Sequence, residues 1–178
     1  MATEYVEILL EKIEKNYFLE LLNNKKICDY EMGECYYYSN LDYGKKNLNK
    51  NEFNEKISKN YNCMIMLKKF EILNLEIKRI QLIVQQNNDK IDITFNCAKE
   101  QLSYENKKIV LELLRKQTVL TKDKRIYIGY EPVEDKDMQC LIIINGKVIW
   151  KNDNDNFWKI GFNMLSMEPE EMQQRGIK

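Results

Sequence analysis

The residues best placed to do chemistry in this chain are acids. Glu131, Glu134, Asp135 and Asp137 fall within seven positions, with Lys136 among them, and Asp153 and Asp155 flank Asn154 a short way on. Clustered carboxylates can share a proton, hold divalent metals or meet a basic partner. Asp153-Asn154-Asp155 opens like a calcium loop. An EF-hand, however, needs Gly at its sixth position and Glu at its twelfth, and here Trp158 and Met164 stand there. A solvated turn is the plainer reading. For the 131–137 cluster, a solvated loop and a recognition patch for a basic protein both remain open.

Other chemistries are poorly served. The chain has no histidine, which removes the commonest metal ligand, the commonest general base and every Ser-His or Cys-His nucleophile pair. Its five cysteines, Cys28, Cys35, Cys63, Cys97 and Cys140, are odd in number and contain no Cys-x-x-Cys pair, a pattern of free thiols in a reducing cytosol. Gly129, Gly146 and Gly161 form neither a GxGxxG nor a Walker loop. We therefore expect no cofactor, no metal and no enzyme.

Charge is balanced at 28 acidic and 28 basic residues, yet it is unevenly spread. Residues 1–40 carry 8 acids against 4 bases and residues 131–178 carry 9 against 6, so the middle is basic, with 11 against 18. Lys68, Lys69, Lys78, Arg79, Lys107, Lys108, Lys122, Lys124 and Arg125, interleaved with Tyr and Phe, could present a nucleic-acid surface. With 24 Lys to 4 Arg, dispersed lysines also serve simply as solvation. No apolar run approaches the ~20 residues that span a bilayer. The N-terminus lacks the basic and apolar regions of a secretory signal, so a cytoplasmic location is expected.

The elements that must position these residues centre on 125–151. Asn145-Gly146 between two β-branched runs predicts a two-residue type I′ hairpin turn. Leu141 to Ile144 is continuously apolar, which predicts a strand covered on both faces near the middle of a sheet. Upstream, Val6, Leu9, Leu10, Ile13, Tyr17 and Leu21 follow helical spacing behind Glu4 and Glu7, predicting a helix over 4–22. Residues 27–39, with Gly33 at the centre, predict a hairpin. Its Tyr36, Tyr37 and Tyr38 either pack on a sheet or form a contact surface. Residues 40–51 read as a loop and 50–60 as a short helix. Alternation over 73–84, with a change of phase at Arg79-Ile80, predicts a bent strand. A turn at 87–89 and a half-buried strand over 91–97 continue an antiparallel meander, and Ser103 is placed to cap a second main helix reaching about residue 116. The expected fold is one α+β domain over 1–178, a mostly antiparallel sheet of about five to seven strands with two main helices packed on it.

The run Ile126-Tyr-Ile-Gly-Tyr-Glu-Pro-Val-Glu-Asp-Lys-Asp-Met138 and the strand-Asn-Gly-strand after it resemble the immunity proteins of bacterial contact-dependent growth inhibition systems. That resemblance implies a cytoplasmic protein that binds and neutralises one secreted toxin, commonly a nuclease, by occluding its active or substrate-binding surface. A nuclease is basic where it meets phosphate, so its inhibitor gains on-rate and specificity from acids at the rim and aromatic anchors within. On that reading the partner-binding residues are Glu131, Glu134, Asp135, Asp137, Asp153, Asp155, Tyr36 and Tyr38. The alternative is a nucleic-acid-binding domain that uses a lysine-rich sheet face.

Overall fold

The computed structural model describes residues 4–151 apart from 26–27, 41, 73–74, 104–105, 109, 112–113, 115–124, 131–132 and 135. The chain runs β1 (Tyr5–Glu14), α1 (Lys15–Asn23), β2 (Cys28–Tyr38), β3 (Tyr43–Asn47), α2 (Lys50–Ser58), β4 (Asn62–Ile72), β5 (Leu75–Asn87), β6 (Lys90–Ala98), a 3-10 turn (Lys99–Gln101), β7 (Arg125–Tyr130), β8 (Gln139–Ile144) and β9 (Lys147–Trp150). All nine strands join one antiparallel sheet in the order β3-β2-β4-β5-β6-β1-β7-β8-β9. The α+β class stands, with nine strands in place of five to seven. No helix among the described residues is long and apolar enough to cross a membrane.

The two faces of the sheet differ in chemistry, as the register shows. One row across it reads Tyr37, Cys63, Val84, Ile93, Leu10, Ile126, Ile143 and Val148. This face meets Phe18 and Leu22 of α1 and Phe53 and Ile57 of α2 in the core, joined by Val110 and Leu111; much of the helix expected after Ser103 lies outside the described residues. Each fully buried Leu, Ile or Phe there contributes about 1.5–3 kcal/mol. The adjacent row, pointing the other way, reads Lys45, Tyr36, Met64, Ile83, Thr94, Leu9, Tyr127, Ile142 and Ile149, one residue from every strand. Polar and apolar side chains are mixed along it, and α1 and α2 lie on the opposite face. We refer to it as the open face, although Thr94, Leu9 and Ile142 along it are buried.

Several expectations hold. Asn145 and Gly146 take φ of 51° and 74° between β8 and β9, as a type I′ turn needs. Arg79, with φ 54°, marks the change of phase inside β5: Ile77 and Ile80, three apart, both reach the core. Asn88, φ 57°, turns β5 into β6. Asn49 and Glu52 form a capping box at α2, and Ser103 Oγ accepts from the Asn106 N–H at 3.2 Å.

Four expectations fail. The predicted helix over 4–22 is strand β1 followed by α1. A bulge at Lys12, φ 56°, shifts the register between Leu10 and Ile13, and that extra residue turns two-residue alternation into spacing that mimics a helix. The predicted hairpin over 27–39 is the single strand β2, because Gly33 is not a turn. It lies where β2 slips register against β4, and a Cβ there would run into the Met66 carbonyl oxygen. The predicted loop over 40–51 contains β3, an edge strand whose polar side chains hide it from a hydrophobicity pattern. Finally, β8 is the second strand from an edge, not a central one. Its continuous apolar run reflects cover on both faces, with five of its six residues buried.

Candidate functional site

The open face carries two surfaces that could meet a partner. The first forms where the chain leaves β7 and folds back over the face before entering β8. Val133 is fully buried, and its N–H donates to Glu7 Oε2 at 2.6 Å. The Gln139 side-chain amide donates to the Val133 carbonyl at 3.1 Å, and the Tyr130 N–H donates to the Met138 carbonyl at 3.0 Å. Glu7 and Gln139 lie on neighbouring positions of the open face, flanking Gly129 across the β1–β7 and β7–β8 pairings. Both are buried, and their polar ends are used to clamp one backbone unit of the loop. Gly129 leaves room for this return, since a Cβ there would meet the Met138 carbonyl.

Beside the clamp, the loop overhangs a groove of about 580 Å³. Leu9, Tyr127 and Ile142, three consecutive members of the open-face row, form its floor. Glu11 and Arg125 stand at one end, and Glu134, Lys136 and Lys151 stand with Gln139 at the loop end. The hydrogen bond to Tyr127 is the main cause that raises the Arg125 guanidinium above its ordinary value, and the nearby Glu11 carboxylate adds to it. Among the described residues, Glu11, Glu134, Lys136 and Lys151 form no ion pair. Elsewhere on the surface such pairs are common: Glu14 with Lys90, Glu4 with Lys99, Glu34 with Lys45 and Glu52 with Lys46.

The second surface is the β2–β3 end. Tyr36, Tyr38 and Tyr43 are 40%, 51% and 85% exposed, and Met66 on β4 is 43% exposed. Tyr38 pairs directly with Tyr43. Lys45 sits 4.8 Å from the Tyr36 ring centroid and 3.0 Å from Glu34, so the charges at this end are already satisfied. The hydrogen bonds to Tyr36 and then to Glu34 raise the Lys45 ammonium above its ordinary value.

The expected site residues are therefore distributed as follows. Glu134 and Asp137 are exposed on the returning loop, and Glu134 lines the groove. Tyr36 and Tyr38 share the open face with them, but β2 and β7 are five strand spacings apart, roughly 24 Å. Glu131, Asp135, Asp153 and Asp155 lie outside the described residues. The loop is less acidic in its surroundings than its sequence suggests, because Arg125, Lys136 and Lys151 gather at the same groove. Glu7, Glu11, Leu9 and Tyr127 were missed by sequence reading. The signal for the first three was present in the alternation of residues 6–11, hidden beneath the apparent helical spacing.

Among the described residues, several lysines of the basic middle are neutralised by neighbouring acids. Lys68 pairs with Glu31 at 3.1 Å, Lys69 with Glu71 and Glu76 at 2.9 and 3.3 Å, and Lys78 with Glu76 at 3.7 Å. Lys107 is buried, and Lys122 and Lys124 lie outside the described residues. Among the described residues no three His, Cys, Asp or Glu side chains converge as metal ligands would. Cys35, Cys63, Cys97 and Cys140 are buried free thiols, and burial pushes Cys97 up to about 11, far from a reactive thiolate at neutral pH.

No curated protein matches the chain. A chain of the 1.75 Å crystal structure of the toxic C-terminal tip of CdiA from Pseudomonas aeruginosa in complex with immune protein superposes with a TM-score of 0.55 at 13% identity. The match covers 79% of this chain and 95% of that one, and at such identity it speaks to fold. The family model of the PABL017 Cdi1I immunity protein matches residues 4–146, a span that takes in every strand from β1 to β8 together with the clamped loop and most of the groove. The chain belongs to the PABL017 Cdi1I immunity protein family.

Proposed function

We propose that this protein binds the toxic C-terminal tip of a cognate CdiA protein and neutralises it stoichiometrically, by covering the active or substrate-binding surface. The observation that carries this reading is the family match over residues 4–146. The geometry supports it, because the open face offers apolar floor, exposed tyrosines and unpaired charges on a rigid sheet, which are the components of a protein interface. The nuclease character of the toxin is part of the proposal. Exposed Glu134 and Asp137, with Tyr36 and Tyr38, would face its basic substrate channel. A cytoplasmic site of action fits the buried reduced cysteines.

The test is co-expression with the C-terminal tip of the CdiA protein encoded immediately upstream. Cells carrying both should grow, cells carrying the tip alone should arrest, and the two chains should co-purify as a complex whose nuclease activity appears only after this chain is stripped off. Growth arrest despite co-expression, with no complex recovered, would refute the function. Protection by a complex whose freed toxin leaves RNA and DNA intact would refute only the nuclease assignment.

A further inference from the structure

We propose that the groove between β1, β7 and β8 is the anchor point for the toxin, and that it takes a short polypeptide segment carrying an apolar side chain between one basic and one acidic residue. This rests on the toxin-binding function above and adds to it a place and a chemistry.

The β2–β3 end and the groove differ in how their charges are met. At the β2–β3 end the lysines and glutamates neutralise each other, Lys45 with Glu34 and Lys46 with Glu52. At the groove, Glu11, Glu134, Lys136 and Lys151 have no ion-pair partner among the described residues, although all four border one depression. Surface side chains gain little from pairing in water, but at a contact that excludes water each unmet charge must find a partner. Charges of both signs restrict what can enter. A phosphate chain would meet repulsion at Glu11 and Glu134 that a polypeptide carrying both signs avoids. Three cations, counting Arg125, repel a wholly basic segment. A polypeptide segment with one residue of each sign gives both the carboxylates and the cations of the groove a counter-charge, and an apolar side chain between them meets the floor, where Tyr127 is half-buried and Leu9 and Ile142 are already buried.

Size and rigidity fit the same occupant. The groove follows β7 from Arg125 towards Gly129, four residues and so roughly 13 Å, the length of a short extended segment. Its volume of about 580 Å³ is in the range of specific pockets. The floor belongs to paired strands, and the roof is clamped by Glu7 and Gln139, so little order has to be created on binding.

The experiment measures binding of the purified CdiA tip encoded immediately upstream to the full-length chain at low salt. Three double variants are compared with wild type: Lys136→Glu with Lys151→Glu, Glu11→Lys with Glu134→Lys, and Tyr38→Ala with Tyr43→Ala. All six positions are at least partly exposed, and thermal melts verify that each variant folds. Both charge reversals should weaken binding by about tenfold or more, and the tyrosine pair by less than about threefold. The groove is overturned if either charge reversal binds as wild type does, or if the tyrosine pair alone loses affinity. Tighter binding by Glu11→Lys with Glu134→Lys would overturn the mixed-charge segment in favour of an acidic one. If wild type itself fails to bind the tip, the toxin-binding function falls, and the groove proposal with it.

Discussion

Glu7 does the most for the site without facing a partner. Its carboxylate is buried on the open face of β1 and receives the Val133 N–H at 2.6 Å, holding the returning loop against the sheet. Replacement by alanine would leave that buried N–H without its acceptor and remove one jaw of the clamp. We expect Glu7→Ala to lower stability by about 1–3 kcal/mol, the cost of an unsatisfied buried donor. Glu7→Gln, which keeps an acceptor oxygen, should cost less. Urea denaturation measures the first effect. Hydrogen exchange at the Val133 amide measures the second, and protection unchanged in Glu7→Ala would show that the clamp does not depend on this residue. Nothing in the sequence near Glu7 singles it out. Its importance arises from a partner 126 residues away.

At the scale of elements, what could be read from the chain depended on how local the signal was. The Asn145-Gly146 turn, the bend at Arg79 and the capping box of Asn49 and Glu52 are written within a few neighbouring residues, and all three are found. The β1 strand was obscured by its own bulge at Lys12. The β3 strand owes its existence to β2, whose Tyr37 phenol covers Gly44. The groove is less legible still, since its floor comes from residues 9, 127 and 142 and only strand order brings them together. The turn offers a sharp test. Gly146 has φ 74°, and a β-branched residue is strained there, so Gly146→Val should destabilise the protein by about 1–2 kcal/mol or more. The denaturation midpoint should fall with the slope unchanged. An unshifted midpoint would mean that the β8–β9 hairpin does not rely on this turn.

For the molecule as a whole, sheet order dominates. Adjacent strands in the order are mostly adjacent in sequence, as in β4-β5-β6 and β7-β8-β9, which makes two local meanders. The strand that joins them is β1, flanked by β6 on one side and β7 on the other, with Val6 opposite both Cys97 and Tyr130. These contacts close long loops before any reward is gained, so folding should be slow for a protein of this size, in the millisecond-to-second range. Stopped-flow refolding with an intrinsic fluorescence probe measures this. A single microsecond phase would show that the long-range pairings are not rate-limiting.

The position of β1 also decides when the protein can work. During synthesis the first strand leaves the ribosome early, but its neighbour β7 begins only at Arg125, and the groove needs β1, β7 and β8 together. A nascent chain halted at the end of β6 can pair β1 on one side only, leaving an open strand edge and no groove. Competence to hold a partner in the groove is therefore withheld until the early strand and the late hairpin have met.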